Sequence, residues 1–465
     1  MSENWLNFDR FAVWGLGRSG RAAANLLARR GKAVVASDTR SDKALAADAS
    51  ELDEAVQWMG GGNVIADAEV VVTSPGLRPG LEIFEQVRQR GLPVISEVDL
   101  AFDASSSPWV GITGTDGKTT TTSLTGAMLA AAGIEHVVAG NIGTALCDVV
   151  EDLASDAVVV AELSANQLWS CHHLDVQTAA ITNIAEDHLD YFDDFSHYPE
   201  AKYRLAHLQS AGGDVVIPLG DETIDEALAE RPQSNKIYFG CGTGERLHLG
   251  EDQTAVYFDA DGVGRWQNEG ADGIWMESFE EAMLMGPHNQ LNAACAAAIA
   301  RGQGASWEAI RHGVVEFSPL SHRMEAVGEV EGVRFIDDSK ATNAHASLAG
   351  LRGIDGHLVV IAGGRDKGLD LDQWSREVAG RAGRIIVIGE ISAKMTDLLE
   401  REGGIVEAAA TLDDAVVMAK KSARPGSTVV LSPACSSYDM FSNYRERGRH
   451  FQKAVTALAE KLNSG

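Results

Sequence analysis

The sequence predicts an α/β protein of three domains built on parallel sheets. Two glycine turns, each set between an apolar strand and a helix, point to this at 15–20 and 113–120, as do three polar loops that follow short apolar runs beyond residue 330. Strand, turn and helix in that order is the unit of a doubly wound sheet, whose ligands gather at the carboxyl ends of the strands. At 465 residues the chain exceeds the roughly 250–300 residues over which one core keeps growing, so it divides.

The first domain opens with a strand, Phe11 to Trp14, then Gly15-Leu16-Gly17-Arg18-Ser19-Gly20, then a helical run to Arg30 stopped by Gly31. A second strand, Ala33 to Ser37, ends at Asp38. Glycines there let the backbone approach a diphosphate at a helix N-terminus, and the acid sits where a ribose hydroxyl would be held. A dinucleotide, another nucleotide diphosphate and a purely structural turn all satisfy this pattern, so a nicotinamide dehydrogenase stays open at this point. Strand Val70 to Thr73 runs into the loop Ser74-Pro75-Gly76.

After small residues from Ala104 to Pro108, expected as a linker, the strand Trp109 to Ile112 leads into Thr113-Gly114-Thr115-Asp116-Gly117-Lys118-Thr119-Thr120 and an alanine-rich helix reaching Gly133. Successive N–H groups of such a loop wrap phosphate oxygens, Lys118 offsets terminal phosphate charge, and the Thr119 hydroxyl suits magnesium. The usual octapeptide would start with glycine at Ile112, whereas the glycines are Gly111 and Gly114. ATP or GTP is the expected ligand, with a glycine-rich structural turn or a non-catalytic nucleotide switch as rivals. A dehydrogenase has no use for this second loop, while an enzyme that consumes ATP on a nucleotide-linked substrate needs both.

A magnesium site wants a further acid from a neighbouring strand. Strand Ala157 to Ala161 delivers Glu162, which as an isolated acid would be merely solvated. Strand Thr178 to Ile181 delivers Thr182-Asn183-Ile184-Ala185-Glu186-Asp187-His188-Leu189-Asp190, in which His188 could orient substrate or ligate a second ion. Cys171-His172-His173 lacks partners at metal-ligand spacing and is expected as a solvated loop. In the last third, Val333 to Ile336 precedes Asp338, Leu358 to Ala362 precedes Gly363 to Gly368, and Thr428 to Leu431 precedes Ser432.

The formal charge of −28 disfavours a nucleic-acid backbone. No window holds a membrane-length apolar run, and Met1 to Arg10 lacks an apolar signal core. Five cysteines without CxxC spacing suit reduced thiols. A cytoplasmic, monomeric protein that inserts in no membrane is expected.

Together these residues resemble one family, the Mur ligases, ATP-dependent amide-forming enzymes of peptidoglycan synthesis. The general marks are the lysine loop, Gly140-Asn141-Ile142-Gly143, Glu162-Leu163-Ser164, the Asn183 to His188 stretch, Lys202, Gly286-Pro287-His288-Asn289 with Asn292, and His322-Arg323. Asp338-Ser339-Lys340-Ala341-Thr342-Asn343 and Ser432 to Phe441 are similar to the glutamate-adding branch. Two positions depart from the family pattern: Asp116 where Asn is commoner, and Ala165-Asn166 where Ser-Phe is.

The resemblance implies a Rossmann-like N-terminal domain (1–97), a P-loop ATPase-like central domain (98–319) and a Rossmann-like C-terminal domain (320–465). It implies that glutamate is joined to UDP-N-acetylmuramoyl-L-alanine through an acyl phosphate, with ATP and two Mg2+ ions. Gly114, Thr115, Asp116, Gly117, Lys118, Thr119 and Thr120 would cradle the triphosphate. Asn289, Asn292, Arg323 and Asp338 would hold the adenosine. Thr119 and Glu162 would ligate one magnesium, and His188 with a carbamylated Lys202 the other; without the resemblance Lys202 reads as a surface helix lysine. Lys118, His188 and Lys202 would be the catalytic set. Gly17, Arg18, Ser19, Asp38, Thr39, Arg40 and Gly76 would bind UDP, with Asn141, Gln167 and His188 on the sugar and linker. Lys340, Thr342, Lys367, Ser437 and Tyr444 would bind glutamate, whose two carboxylates call for cations and hydroxyls.

Overall fold

The computed structural model describes residues 4–185, 197–229, 234–243, 253–268, 270–284, 286–318, 321–354, 356–366 and 371–463. Among them are three sheets, of five, nine and six strands.

The first sheet is parallel throughout, with strands β1 (Arg10–Trp14), β2 (Ala33–Ser37), β3 (Gln57–Met59), β4 (Val70–Thr73) and β5 (Val94–Ser96) in the order β3-β2-β1-β4-β5. The order reverses about β1, so the crevice for a ligand opens beyond Trp14, beside the ends of β2 and β4. The expected first helix is Arg18–Arg29, and Gly31 beyond it takes φ +72°. Such a left-handed residue ends a helix at least cost when it lacks Cβ.

The second sheet contains β6 (Trp109–Thr113), β7 (His136–Gly140), β8 (Val158–Glu162), β9 (Thr178–Ile181), β10 (Asp214–Pro218), β11 (Asn235–Thr243), β12 (Thr254–Asp259), β13 (Gly264–Asn268) and β14 (Ala271–Met276). Its order is β14-β13-β12-β11-β10-β9-β6-β8-β7, antiparallel only at the β12-β13-β14 edge. The strand carrying Glu162 runs one residue later than expected, because Glu162 itself pairs with Ile112. Ala104 closes a helix, Glu97–Ala104, so the connection to β6 is shorter than the expected linker.

The third sheet is formed by β15 (Glu325–Val330), β16 (Val333–Asp337), β17 (Leu358–Gly363), β18 (Ala382–Ile388), β19 (Val406–Ala408) and β20 (Thr428–Leu431), in the order β15-β16-β20-β17-β18-β19. All but the β15–β16 pair are parallel.

Buried parallel strands bury both faces, which is why they read as unbroken Val, Ile and Ala runs. In the third sheet Ile336, Val360 and Val430 face one core with Trp374, while Phe335, Val359, Ile361 and Val429 face another with Phe451. Each fully buried Val or Ile contributes about 1.5–3 kcal/mol. The chain packs as two compact units, Met1–Ala282 with Gln290–Phe317, and Met283–Asn289 with Ser318–Gly465. In the first unit one continuous core runs from Leu26 and Val34 through Leu146 to Val159 and Ile181. No helix among the described residues is long and apolar enough to cross a membrane.

Candidate functional site

The loop after β6 is shaped by two glycines. Gly114 has φ +143°, and a Cβ there would lie 1.9 Å from the Thr182 hydroxyl; at Gly117, φ +80°, it would lie 2.2 Å from the Asn292 side-chain oxygen. Neither position accepts another residue without the loop moving. The backbone is then tied to the strand next door. Thr115 N donates to the Asn183 carbonyl at 2.9 Å, Asp116 N to Asn183 Oδ1 at 3.0 Å, and Asn183 Nδ2 back to the Asp116 carbonyl at 3.0 Å. Asn183 therefore holds residue 116 by its main chain, whatever its side chain. Gly111, the glycine that does not fit the octapeptide, has another use: a Cβ there would meet Leu205 Cδ1 at 2.5 Å, so its absence lets the helix His197–His207 lie close on β6.

That close approach places Lys202. Its side chain is 1% exposed, its Nζ donates to the Gly114 carbonyl at 2.7 Å, and the ammonium lies 4.3 Å from the Tyr198 ring centroid. Lys202 is thus a buried residue, not the surface lysine its helix would suggest. Lys118 folds over the same loop, donating to the carbonyls of Gly114 at 2.8 Å and Thr115 at 2.7 Å. The helix Lys118–Ala131 begins at Gly117 with no acid in its first turn, leaving its first N–H groups and positive end for an anion. Thr119 is half-buried and Thr120 buried at that end.

Glu162 is 1% exposed rather than solvated. Its Oε1 accepts from Asn141 Nδ2 at 2.7 Å, while its buried Oε2 has no hydrogen-bond partner among the described residues. An unmatched buried carboxylate oxygen beside a hydroxyl-bearing phosphate loop is a hard-oxygen donor set, which fits Mg2+. His188 and Lys367 lie outside the described residues.

At the first sheet's edge Gly15 has φ +85°, and a Cβ on Gly20 would stand 1.8 Å from the Gly15 carbonyl. Asp38 Oδ2 accepts from Leu16 N at 2.8 Å and fixes the turn. Burial pushes the Asp38 carboxyl up, but the Arg40 guanidinium and the backbone N–H groups of Arg40 and Leu16 outweigh it and leave it below its ordinary value. Thr39 and Gly76 are exposed. Arg18 donates to the carbonyls of Gly143, Gly140 (2.9 Å) and Asn141 (3.3 Å). Gln167 is also fully engaged: its Oε1 accepts from Ser164 N and Oγ, both at 2.9 Å, and its Nε2 donates to Glu97 at 2.9 Å. In the Cys171-His172-His173 loop His172 is exposed, as expected, whereas Cys171 is buried and the backbone N–H groups of His172 and His173 donate to Asp99 at 2.8 and 2.6 Å.

In the third sheet Asp338, 4% exposed, accepts from Ser432 Oγ at 2.9 Å and Met324 N at 3.3 Å. Burial raises its carboxyl to about 7, against the opposing pull of Arg323. Lys340 Nζ lies 5.9 Å from the Tyr444 ring centroid, so these two glutamate-binding candidates are brought together. Ser437 is buried and Thr342 half-buried. One residue the sequence did not mark is Arg447, 1% exposed, whose guanidinium donates to Ser339 Oγ and the Ser339 carbonyl at 2.9 Å, to the Cys435 carbonyl at 3.1 Å and to the Gly363 carbonyl at 3.4 Å. It ties together the loops at the carboxyl ends of β16, β17 and β20. Asn292, 6% exposed, accepts from Thr121 Oγ1 at 3.4 Å; Asn289, one turn earlier on Pro287–Gly302, is equally buried. Tyr198 was also unmarked, although its place four residues before Lys202 puts both on one helix face.

Three family models match the chain: a Mur ligase MurD-like N-terminal domain over 9–96, a Mur ligase middle domain over 112–300, and a Mur ligase glutamate ligase domain over 322–435. The UDP-N-acetylmuramoylalanine--D-glutamate ligase of Symbiobacterium thermophilum is 36% identical over 457 residues, covering 97% of this chain and 98% of that protein. The protein of the same name from Salinibacter ruber is 38% identical over 469 residues, covering 98% and 100%. Among solved structures, a pseudomurein peptide ligase type C from Methanothermus fervidus superposes with a TM-score of 0.60 at 18% identity, covering 97% of this chain and all of that one. MurF ligase from Thermotoga maritima, in complex with ADP, gives 0.60 at 15%, covering 99% and 100%. At such identities these two share the fold.

Proposed function

The chain belongs to the Mur ligase family, and from that premise we propose that it joins D-glutamate to UDP-N-acetylmuramoyl-L-alanine, consuming ATP and releasing ADP and phosphate, in peptidoglycan synthesis. Whole-length similarity to relatives that bear this activity in their names carries the reading. The nicotinamide alternative for the first sheet is dropped, since residues 9–96 match a MurD-like domain. We divide the chain at 97 and 319, and place it in the cytoplasm as a monomer.

In this reading the alanine carboxylate of the UDP substrate takes the γ-phosphoryl group of ATP, giving an acyl phosphate. The glutamate amine attacks the activated carbonyl, and phosphate leaves from the tetrahedral intermediate. The protein contributes position and charge, because ATP supplies the leaving group. Amides of Gly114 to Thr120 and the Lys118 ammonium receive the triphosphate. Asn289, Asn292, Arg323 and Asp338 hold adenosine; Gly17, Arg18, Ser19, Asp38, Thr39, Arg40 and Gly76 hold UDP; Asn141 and Gln167 lie toward the sugar. Lys340, Thr342, Lys367, Ser437 and Tyr444 receive glutamate.

Two Mg2+ ions, when bound, supply Lewis-acid charge at the transferring phosphoryl group. Thr119 and Glu162 would hold one, and His188 with a carbamylated Lys202 the other. Carbamylation needs the neutral amine: the Lys202 ammonium first gives up one proton, and a second leaves as Nζ bonds to the carbon of carbon dioxide, so the product is an anionic carbamate. One N–H remains, enough for the bond to the Gly114 carbonyl, and two hard oxygens are gained.

Phosphate release from ATP, measured with UDP-N-acetylmuramoyl-L-alanine and each glutamate enantiomer, tests the reading. Release that requires both the UDP substrate and D-glutamate is expected; release indifferent to either contradicts it.

A further inference from the structure

Glu97 is an acid that the mechanism above does not use, yet it is 2% exposed. Burying a carboxylate costs several kcal/mol unless its partners answer for it. It is not needed to start its own helix, because the capping box of Glu97–Ala104 is made by Ser96 and Asp99. Its partners instead come from both sheets of the first compact unit. Glu97 Oε1 accepts from Gln167 Nε2 at 2.9 Å and Oε2 from Ser96 Oγ at 3.2 Å. The Ser19 hydroxyl, on the glycine turn of the first sheet, also acts to hold the same carboxyl down. Burial pushes that carboxyl up, and these donors only partly oppose it.

Ser19 belongs to the glycine turn of the first sheet, at the start of Arg18–Arg29. Gln167 closes the turn at Ser164, two residues beyond Glu162. Arg18, next to Ser19, reaches the other side of Glu162: it donates to the Asn141 carbonyl, and Asn141 Nδ2 donates to Glu162 Oε1. Two consecutive residues of one turn are therefore wired to both flanks of the same carboxylate.

We propose that Glu97 is a positioning residue that fixes the diphosphate turn at Ser19 and the Ser164–Gln167 turn behind Glu162 against each other, so that the UDP end and the phosphoryl-transfer end of the site keep one spacing. This rests on the function proposed above. A spacer of this kind acts on where the substrate's reactive carboxylate arrives, and misplacement on the ångström scale is costly in rate.

The test is steady-state kinetics on the full chain with Glu97→Ala, Glu97→Gln, Ser19→Ala and the Ser19→Ala/Glu97→Ala double variant. Glu97→Ala is expected to raise KM for the UDP substrate about tenfold and lower kcat about tenfold, with KM for D-glutamate within about twofold. Glu97→Gln keeps the shape and one acceptor oxygen, and is expected to recover most of both. The double variant should fall short of the summed single effects, since both substitutions cut one chain while Ser19 also meets UDP. Should Glu97→Ala fail to fold, Glu97→Asp, too short to reach Gln167 and Ser19 together, takes its place with the same expectations. Unchanged kinetic constants, a fall confined to Tm, or additive effects of the two substitutions overturn the proposal. Should the unaltered chain release no phosphate on addition of UDP substrate, the assignment of function fails instead, and the two failures are told apart.

Discussion

The side-chain nitrogens of Lys118 and Lys202 donate to the same acceptor, the Gly114 carbonyl, at 2.8 and 2.7 Å. Two ammonium groups gathered on one neutral oxygen repel each other, by an amount that grows as water is excluded. Two cationic side chains thus converge on one edge of the phosphate loop. On the proposed mechanism Lys118→Ala should lower substrate-dependent phosphate release by at least about 10²-fold. Lys202→Ala should lower it as far, but with partial recovery on adding formate or acetate, whose oxygens replace those of the carbamate. A Lys202→Ala protein of normal activity would dispose of the carbamate.

Asn141 offers a sharper discrimination, because it touches Glu162 Oε1 at 2.7 Å. A group that orients a metal-binding carboxylate typically accounts for about 10–100-fold in metal affinity. Asn141→Ala should accordingly move the Mg2+ concentration for half-maximal turnover upward by about tenfold. A change confined to KM for the UDP substrate would assign Asn141 to the sugar alone.

Arg447 is predicted to matter for stability first. Leucine in its place would remove the guanidinium's bonds to the buried carbonyls of Ser339, Gly363 and Cys435, each lost bond costing about 1–3 kcal/mol. Arg447→Leu should destabilise the second compact unit by at least about 3 kcal/mol in urea unfolding. A midpoint within error of the unaltered protein would mean that these loops find other partners.

The buried Asp338 carboxyl is pushed from its ordinary 3.8 up to about 7, burial being the chief cause. A folded-state value above the unfolded one means that the folded chain binds the extra proton. The stability this contributes is whole below about pH 4 and is lost as pH rises through 7. Asp338→Asn, which imitates the protonated acid, should flatten the fall in unfolding free energy between those limits. Parallel pH profiles for the two proteins would contradict this.

Much of the architecture was legible because buried parallel strands leave continuous apolar runs. Ala33–Ser37, Val70–Thr73, Thr178–Ile181 and Thr428–Leu431 stand where those runs do. The lysine loop was legible because only glycine tolerates the backbone at 114 and 117. The charged interior was not. Lys202, Glu162, Glu97 and Arg447 look like surface residues in one dimension, since what buries each comes from far along the chain: the Gly114 carbonyl is 88 residues from Lys202 and Ser339 is 108 residues from Arg447. The resemblance supplied Lys202, whereas Glu162 was marked by its place at the end of a strand downstream of the lysine loop. Nothing local marked Glu97 or Arg447.

The tethering of Asp116 and Thr115 by Asn183 reaches into how nucleotide is captured. A strap that is already fastened has surrendered its conformational freedom during folding, so an arriving triphosphate need not organise it. Capture should then proceed close to the encounter rate, with little structural penalty in its entropy. Loosening the strap with Asn183→Ala would defer that ordering to the moment of capture, and the nucleotide's grip would weaken accordingly.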